Sequence, residues 1–255
     1  MGTLWFLGLG LDDERGLSAR ALDVLRASEV FAEEYTAVAS AGTLERLAQV
    51  VGRPIRRLGR EELEAEGPLL EALARSPNVA LVVVGDPFAA TTHLALRLAA
   101  RRAGHRWRYI PGASILVAAA GYLGLIAYRF GRTVSLPLPA PGFAPRSPLE
   151  QIVSNRERDL HTLVLLDLSP EQGRFLRAEE ALGLLRERDP DEQFLREDDP
   201  LAVAARIGRD DAAGFFGPMR ALRTVDFGPP LHTLVVPAPR LHFEEEAALE
   251  EFELP

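Results

Sequence analysis

The chain has 255 residues, of which 47% are apolar and 26% charged, so it can bury the core of one large α/β domain or two ordinary ones, and an entirely disordered chain is excluded. Its net charge is −8. Several of the 37 acidic residues lie among the last twelve residues, and without them the chain is nearly neutral. A nearly neutral body offers no basic surface for wrapping nucleic acid or for binding an anionic membrane, so neither partner is expected.

Two residue types are missing. All 29 basic residues are arginine, which excludes a Schiff-base lysine, attached pyridoxal phosphate and a P-loop lysine. The absence of cysteine excludes thiol catalysis, disulfides and cysteine-bound metals, and it favours a cytoplasmic location. The longest uncharged run, 109–128, is interrupted by proline and glycine, so it predicts a loop and a buried helix rather than a membrane span.

The first half of the chain alternates short apolar strands with amphipathic helices. The run VALVVV is typical of a strand that is covered on both faces. Ser18 stands where it would cap the first helix. This alternation predicts a parallel sheet with helices on both sides. The predicted strands are 4–9, 30–32, 55–58, 79–84 and 106–110, and the predicted helices are 18–27, 43–51, 60–75 and 91–102.

The pattern changes after Tyr128. Five prolines in 136–148 exclude a helix there and predict a crossover or an extended loop. The acidic tail, 243–255, is predicted as a solvated amphipathic helix. We therefore predict two α/β domains, 1–112 and 113–255. The further predicted strands are 162–168, 201–206 and 233–236, and the further predicted helices are 149–158 and 178–188.

Gly8 and Gly10 end the first predicted strand in the run FLGLGLDDE. A dinucleotide-binding fingerprint needs a third glycine at position 13, where this chain has Asp13 between two further acids. Three carboxylates would face the pyrophosphate, which disfavours a Rossmann dehydrogenase even though Glu33 stands near the position of its ribose-binding acid. A ligand without phosphate and a simple tight turn both remain open.

The run VVVGDPFAATTH brings Gly85 and Asp86 to the carboxyl edge of the predicted sheet, where open α/β sheets bind ligands. Asp86 would accept hydrogen bonds from an amine or a ribose, and Gly85 lets the backbone approach closely. Ser114, in IPGAS, repeats this pattern after the next strand. A simpler interpretation is that Asp86 and Thr91 cap turns and the next helix, and that Ser114 caps the helix after the following strand.

The five histidines include no pair at metal-ligand spacing, so no metal site is predicted. His161 and His232 each stand just before an apolar strand. A satisfied hydrogen-bonding group at a strand end is the simpler interpretation for such a histidine.

Seven segments together resemble the archaeal diphthine synthases, in order and spacing, from about residue 4 to residue 249. The combination of GDPFAATTH with YRFG and LHTL is typical of a narrow group of proteins, whereas Gly-x-Gly and Gly-Asp-Pro recur across the wider tetrapyrrole-methylase-like superfamily. The segments are GLGLDDE, EEYTA, GDPFAATTH, PGASI, GLIAYRFG, LHTLVLLDL and DFGPPLHTLVVPAPRLHF.

The resemblance implies a two-domain α/β methyltransferase that binds S-adenosylmethionine between its domains and usually forms a homodimer. Its substrate would be the 2-(3-amino-3-carboxypropyl)histidine of translation elongation factor 2, which it methylates on the amine to give diphthine. The resemblance assigns no catalytic base. It implies cofactor contacts at Leu11, Asp86, Ala89, Ser114, Ile115, Leu166, Ile207 and His232.

Ala89 and Ile207 stand where the family pattern has other apolar residues, so we expect these two positions to contact the cofactor through their backbone atoms.

Two other functions remain open. A tetrapyrrole methyltransferase shares the fold and the cofactor but needs arginines for its polyanionic macrocycle, and Arg129 and Arg132 are the candidates. The other is a non-catalytic binding module, which the motifs at several strand ends disfavour.

Overall fold

The computed structural model describes residues 1–33 and 35–254. It divides into two compact units, the first ending at Ile115 and the second beginning at Leu116. The predicted boundary, after residue 112, falls in the loop just before this division.

The first unit is a five-stranded parallel sheet with helices on both faces, as the sequence predicts. Its strands are β1 (Thr3–Gly8), β2 (Glu29–Glu33), β3 (Ile55–Leu58), β4 (Asn78–Val83) and β5 (Arg106–Ile110). Its helices are α1 (Ala19–Arg26), α2 (Thr43–Val51), α3 (Arg60–Glu64), α4 (Gly67–Arg75) and α5 (Leu94–Arg102). The strand order is β3-β2-β4-β1-β5.

The strand order explains the continuous apolar run of β4. This strand lies between β2 and β1, and its side chains enter two separate cores, one with α1 and α2 and the other with α4 and α5. The chain leaves β1 toward one edge of the sheet and leaves β4 toward the opposite edge. Loops that diverge in this way mark the place where open α/β sheets bind ligands.

Two helices of this unit differ from their predicted bounds. The helix predicted at 60–75 is two helices, because Glu66 has φ 60° and a new helix begins just after it, with Pro68 in its first turn. The helix predicted at 91–102 begins only at Leu94, since the preceding residues form a turn. The predicted cap of α1 is confirmed, with Ser18 Oγ accepting the amide of Ala21 at 3.2 Å.

The second unit contains a five-stranded sheet in the order β11-β10-β12-β7-β6, in which only β6 and β7 are parallel. Three of its helices, α7 to α9, pack on one core with the sheet. Its strands are β6 (Val134–Leu136), β7 (Thr162–Leu166), β8 (Leu168–Ser169), β9 (Arg174–Phe175), β10 (Pro200–Ala205), β11 (Ala213–Pro218) and β12 (His232–Val236). The helices from the division onward are α6 (Ile115–Tyr122), α7 (Ser147–Arg156), α8 (Ala178–Arg188), α9 (Met219–Leu222) and α10 (Phe243–Glu250).

The acidic tail forms α10, but the prediction that it is solvated is wrong for one residue. Glu245 has 0% relative exposure, because its carboxylate binds donors from the preceding chain. Near this helix the ring of Tyr122 stacks on Phe252, with 5.6 Å between centroids. Across the part of the chain that the structure describes, no helix combines the length and the apolar character needed to cross a bilayer.

Candidate functional site

The loops after β1 and β4 are joined by their backbones. Gly85 N–H donates to Gly10 O at 2.7 Å, and Gly10 N–H donates to Gly85 O at 3.2 Å. Both glycines have left-handed backbone conformations, with φ 90° at Gly10 and 77° at Gly85. Such values are open to glycine and rare for other residues, so the two predicted glycine positions form one turn pair at the carboxyl edge of the sheet.

A third loop, after β5, meets this pair. A Cβ atom on Gly8 would lie 2.2 Å from the amide nitrogen of Gly112, and a Cβ on Gly112 would lie 2.2 Å from the carbonyl oxygen of Gly85. Neither position can hold a larger residue unless the backbone moves. The three loops therefore meet through main-chain atoms.

Asp86 holds this junction together. Its Oδ1 accepts the amide of Phe88 at 2.9 Å, and its Oδ2 accepts the amide of Gly112 at 3.2 Å and the hydroxyl of Tyr109. The side chain is buried, with a residue exposure of 8%. The turn-capping interpretation is therefore confirmed, and the carboxylate already has three donors from its own chain.

Tyr109 was missed by the sequence analysis, because one tyrosine in a short edge strand carries no signal of its partner. Burial, with the hydrogen bond to Asp86 and the charge of that carboxylate, raises the pKa of Tyr109 to about 12. The hydroxyl therefore stays protonated and remains a donor throughout the physiological range. Its ring lies 5.1 Å from that of Phe88, which in turn lies 4.9 Å from Phe6.

The three acids after Gly10 are engaged by their own chain. Asp13 accepts the amide of Arg15 at 3.0 Å and caps a short 3-10 turn, while Glu14 pairs with Arg46 at 2.9 Å. Asp12 accepts the hydroxyl of Ser40. Each of the three carboxylates therefore has a partner within its own chain.

Glu33, the candidate ribose acid of the dehydrogenase alternative, points into the protein. Its carboxylate accepts the amides of Tyr35 at 3.0 Å and Thr36 at 3.2 Å, and the residue is 1% exposed. Its Oε1 lies 3.7 Å from Nε2 of the buried His93. Glu33 orders the loop that follows β2 and is not available to a ribose.

The loop between β4 and α5 is tightly folded. The amide of Ala89 donates to Asp86 O at 3.2 Å, and Nδ1 of His93 lies 2.9 Å from Pro87 O. Ala90, which follows Ala89, has φ 58°, a left-handed conformation that is unusual for a residue with a side chain. Ala89 is thus held in a defined backbone path next to Asp86.

Leu11, Ser114 and Ile115 complete the predicted residues of the first unit. All three are half-buried. Leu11 follows the Gly10 bridge, and Ser114 directly precedes Ile115, the first residue of α6. Together with Asp86 and Ala89 they follow the carboxyl ends of β1, β4 and β5, three neighbouring strands.

The other three predicted residues lie at one end of the second sheet. Leu166 is the last residue of β7, and His232 is the first residue of β12. The pairing of His232 with Ala205 and of Thr233 with Leu165 brings these strand ends together with the turn that contains Ile207. The structure therefore groups the predicted residues within each unit.

The ring of His232 already has two partners. Its Nδ1 accepts the amide of Ala178 at 3.1 Å, and its Nε2 lies 2.9 Å from Pro229 O, to which it donates. Burial lowers the pKa of His232, so the ring is neutral near pH 7. His161 is likewise satisfied, with Nδ1 accepting the amide of Ala238 and Nε2 bound to Glu245. The simpler interpretation is confirmed for both histidines.

The two arginines proposed for a tetrapyrrole are placed differently. The guanidinium of Arg129 pairs with the buried Glu245 and donates to Arg240 O at 2.6 Å, so it is not available to a macrocycle. Arg132 is exposed and lines a cavity of about 490 Å³, which is also lined by the acidic residue Glu150. Within 1–33 and 35–254, no group of three or more metal-ligating side chains is present.

The comparisons with known proteins agree with this architecture. A family model of the tetrapyrrole (corrin/porphyrin) methylases matches residues 3–223. Diphthine synthase of Methanocorpusculum labreanum is 39% identical over 253 residues, which cover 98% of each chain. The chain belongs to the diphthine synthases. The diphthine synthase of Methanocaldococcus jannaschii is 37% identical and covers 95% of each chain.

A crystal structure of a diphthine synthase has a TM-score of 0.89 and 35% identity, and the match covers 99% of this chain and 96% of that one. The predicted family and the predicted fold class are confirmed. Membership of the diphthine synthases makes the chain a methyltransferase, so the binding-module alternative is wrong.

Proposed function

We propose that this protein transfers methyl groups from S-adenosylmethionine to the amine of 2-(3-amino-3-carboxypropyl)histidine on translation elongation factor 2, giving diphthine. The observation that carries the proposal is the 39% identity to a diphthine synthase over 98% of both chains. Similarity over the whole length argues for the same substrate, since a shared fold alone would not.

The proposed cofactor residues are the eight that the sequence analysis named. The structure supports a refined role for two of them, because the Asp86 carboxylate and both His232 ring nitrogens are already bound within the chain. We propose that each of these two residues fixes the loop or strand end around it and presents backbone atoms to the cofactor. The glycine junction suits such a ligand, since residues without side chains let a ligand approach the main chain closely.

Bound S-adenosylmethionine supplies a methyl group on a positively charged sulfur. The protein's own task is then to hold a neutral amine in line with that methyl group. Positioning of this kind lowers a barrier by about 7–11 kcal/mol, so no covalent nucleophile is needed. The described residues of the junction include no free carboxylate or imidazole that would serve as a base, and we propose that the amine loses its proton to water.

The proposed assembly is a homodimer in the cytoplasm, with elongation factor 2 as the protein substrate. The experiment that tests the function is intact-mass spectrometry of elongation factor 2 carrying the aminocarboxypropyl-histidine, after incubation with this protein and S-adenosylmethionine. A series of added methyl masses, absent when the unmodified factor is used, is expected.

No mass shift, with S-adenosylhomocysteine binding shown separately, would contradict the proposed substrate while retaining the cofactor. The alternative, a tetrapyrrole methyltransferase, would then be tested by spectral titration with a porphyrinoid. The engagement of Arg129 with Glu245 argues against this alternative.

A further inference from the structure

Arg206 joins two segments of the second unit. Its Nη1 donates to Phe227 O at 2.6 Å and to Pro229 O at 2.8 Å, and its Nε pairs with Asp211 Oδ2 at 2.7 Å. Its backbone amide donates to Leu231 O at 2.8 Å. One residue therefore binds the turn after β10 to the segment that leads into β12.

The local backbone is arranged around this side chain. Arg206 has φ 53°, a left-handed conformation that a residue with a side chain rarely adopts, and the residue is only 9% exposed. Opposite it, Gly228 has φ 75°, and a Cβ there would lie 3.1 Å from Nη1 of Arg206. Such conformations persist where the surrounding contacts hold them, and they cluster at functional sites.

The two segments are those that carry Ile207 and His232. Ile207 directly follows Arg206. His232 is joined to it through a shared acceptor, because Pro229 O accepts both Nη1 of Arg206 and Nε2 of His232. The His232 ring is thus linked to the Arg206 guanidinium by two hydrogen bonds that share Pro229 O.

We infer that Arg206 is a positioning residue for the methyl donor, holding the Ile207 turn and the start of β12 in the conformation that binds it. The inference rests on the proposed function, since it takes both segments to contact S-adenosylmethionine. A lysine at this position keeps the charge but cannot reach three acceptors from one planar group. Loss of the Arg206 guanidinium would lower the fraction of molecules in the binding conformation, and the apparent affinity for the methyl donor would fall in proportion.

The experiment measures S-adenosylhomocysteine affinity by calorimetry, and KM for S-adenosylmethionine and kcat on the modified elongation factor. Arg206→Lys is expected to bind at least about ten-fold more weakly, with a raised KM and a nearly unchanged kcat. The control is Arg220→Lys, which changes an exposed arginine paired with the exposed Asp198. Millimolar guanidinium is expected to restore part of the affinity of Arg206→Ala and to leave Arg220→Ala unchanged.

A folded Arg206→Lys protein that binds S-adenosylhomocysteine within about two-fold of the wild type would overturn the inference and leave the proposed function intact. A wild-type protein that binds no S-adenosylhomocysteine would overturn both. If the Arg206 variants do not fold, Asp211→Asn serves instead, because the Asp211 side chain is 60% exposed and the substitution removes the negative charge paired with the guanidinium. Asp211→Asn is expected to bind S-adenosylhomocysteine more weakly than the neighbouring variant Asp210→Asn does. Equal affinities of the two variants would overturn the inference.

Discussion

The Tyr109 hydroxyl and the Gly112 amide both donate to Oδ2 of Asp86, so one carboxylate oxygen joins β5 to the loop that follows it. The other oxygen of the same carboxylate holds the loop after β4 through Phe88. Asp86 is therefore part of the structure of the junction as well as of the proposed site. Its replacement by alanine would leave three donors without their acceptor, so a loss of stability is expected together with weaker cofactor binding.

Asp86→Asn tests the structural role and the proposed cofactor-site role of this carboxylate together. Whichever way the new amide turns, its NH₂ group faces at least one of the N–H donors, so a buried donor loses its acceptor. We expect the free energy of unfolding to fall by about 1–3 kcal/mol and S-adenosylhomocysteine affinity to fall at least about ten-fold. Denaturant titration and calorimetry measure these effects. Tyr109→Phe, which removes one donor and keeps the carboxylate, should show smaller losses in both, and wild-type affinity in Asp86→Asn would exclude Asp86 from the site.

Gly112→Ala tests the contact between the loops. The added methyl group would lie 2.2 Å from Gly85 O, and relief requires backbone movement, so a loss of about 2 kcal/mol in unfolding free energy is expected, with weaker cofactor binding. Gly121→Ala is the matched control, since no atom lies within 4 Å of its Cβ position inside α6. That variant should be unchanged or more stable by about 0.5 kcal/mol. Equal stability of the two variants would contradict the packing described here.

Ala90→Gly tests the left-handed residue in the loop after β4. Glycine relieves a conformational cost of about 1 kcal/mol, which offsets the greater freedom it gives the unfolded chain. We expect an unfolding free energy equal to or above that of the wild type. Ala89→Gly, at a neighbour that is not among the positive-φ residues, should lose about 0.5–1 kcal/mol. Denaturant titration distinguishes them, and a larger loss in Ala90→Gly would contradict the assigned backbone conformation.

Glu245→Gln tests the buried carboxylate of α10. Its oxygens accept His161 at 2.9 Å, the amides of Ile126 and His242, and the guanidinium of Arg129. We expect a loss of about 3 kcal/mol in unfolding free energy near neutral pH, since Arg129 and His161 lose their charged partner. Glu246→Gln, at the exposed next residue of the same helix, should stay within about 0.5 kcal/mol of the wild type.

The buried pair of His161 and Glu245 predicts that the free energy of unfolding depends on pH. Burial lowers the pKa of His161 below 6.5. Burial alone would raise the pKa of Glu245, but its N–H donors hold it below 4.5. The unfolded chain therefore binds protons more readily at both groups, and unfolding free energy should fall as pH drops below about 6.5 and further below about 4.5. The gap between wild type and Glu245→Gln should narrow at the lowest pH, and a constant gap between pH 7.5 and pH 4 would contradict this assignment.

The sequence predicts the first unit well because its information is local. The apolar run of β4 and the Ser18 cap specify their own structures, and the glycines at 8, 10 and 85 mark where the chain must turn. It fails where a structure depends on distant partners. The strand β11, with the sequence AGFFGP, contains two glycines and a proline that are typical of turns, and it forms through its pairing with β10.

The same distinction applies to the site. The resemblance supplies the eight cofactor residues, but no local pattern shows that Asp86 is bound by Tyr109, which lies 23 positions further along the chain. Arg206 carries no local signal either, because its acceptors are carbonyl oxygens of Phe227 and Pro229 that only the folded sheet brings near. Carbonyl groups are present at every residue, so a sequence cannot show which of them an arginine will find.

The meeting of Gly8, Gly85 and Gly112 has a consequence for how ligand preference at this edge can change. Under the proposed function, a molecule that lies on the junction contacts main-chain atoms, which are the same whatever side chains surround them. Exchanging one residue for another at the contact therefore offers no means of retuning selectivity, and a gain of even one methyl group separates the loops. New preferences would have to come from insertions or deletions that redirect the backbone.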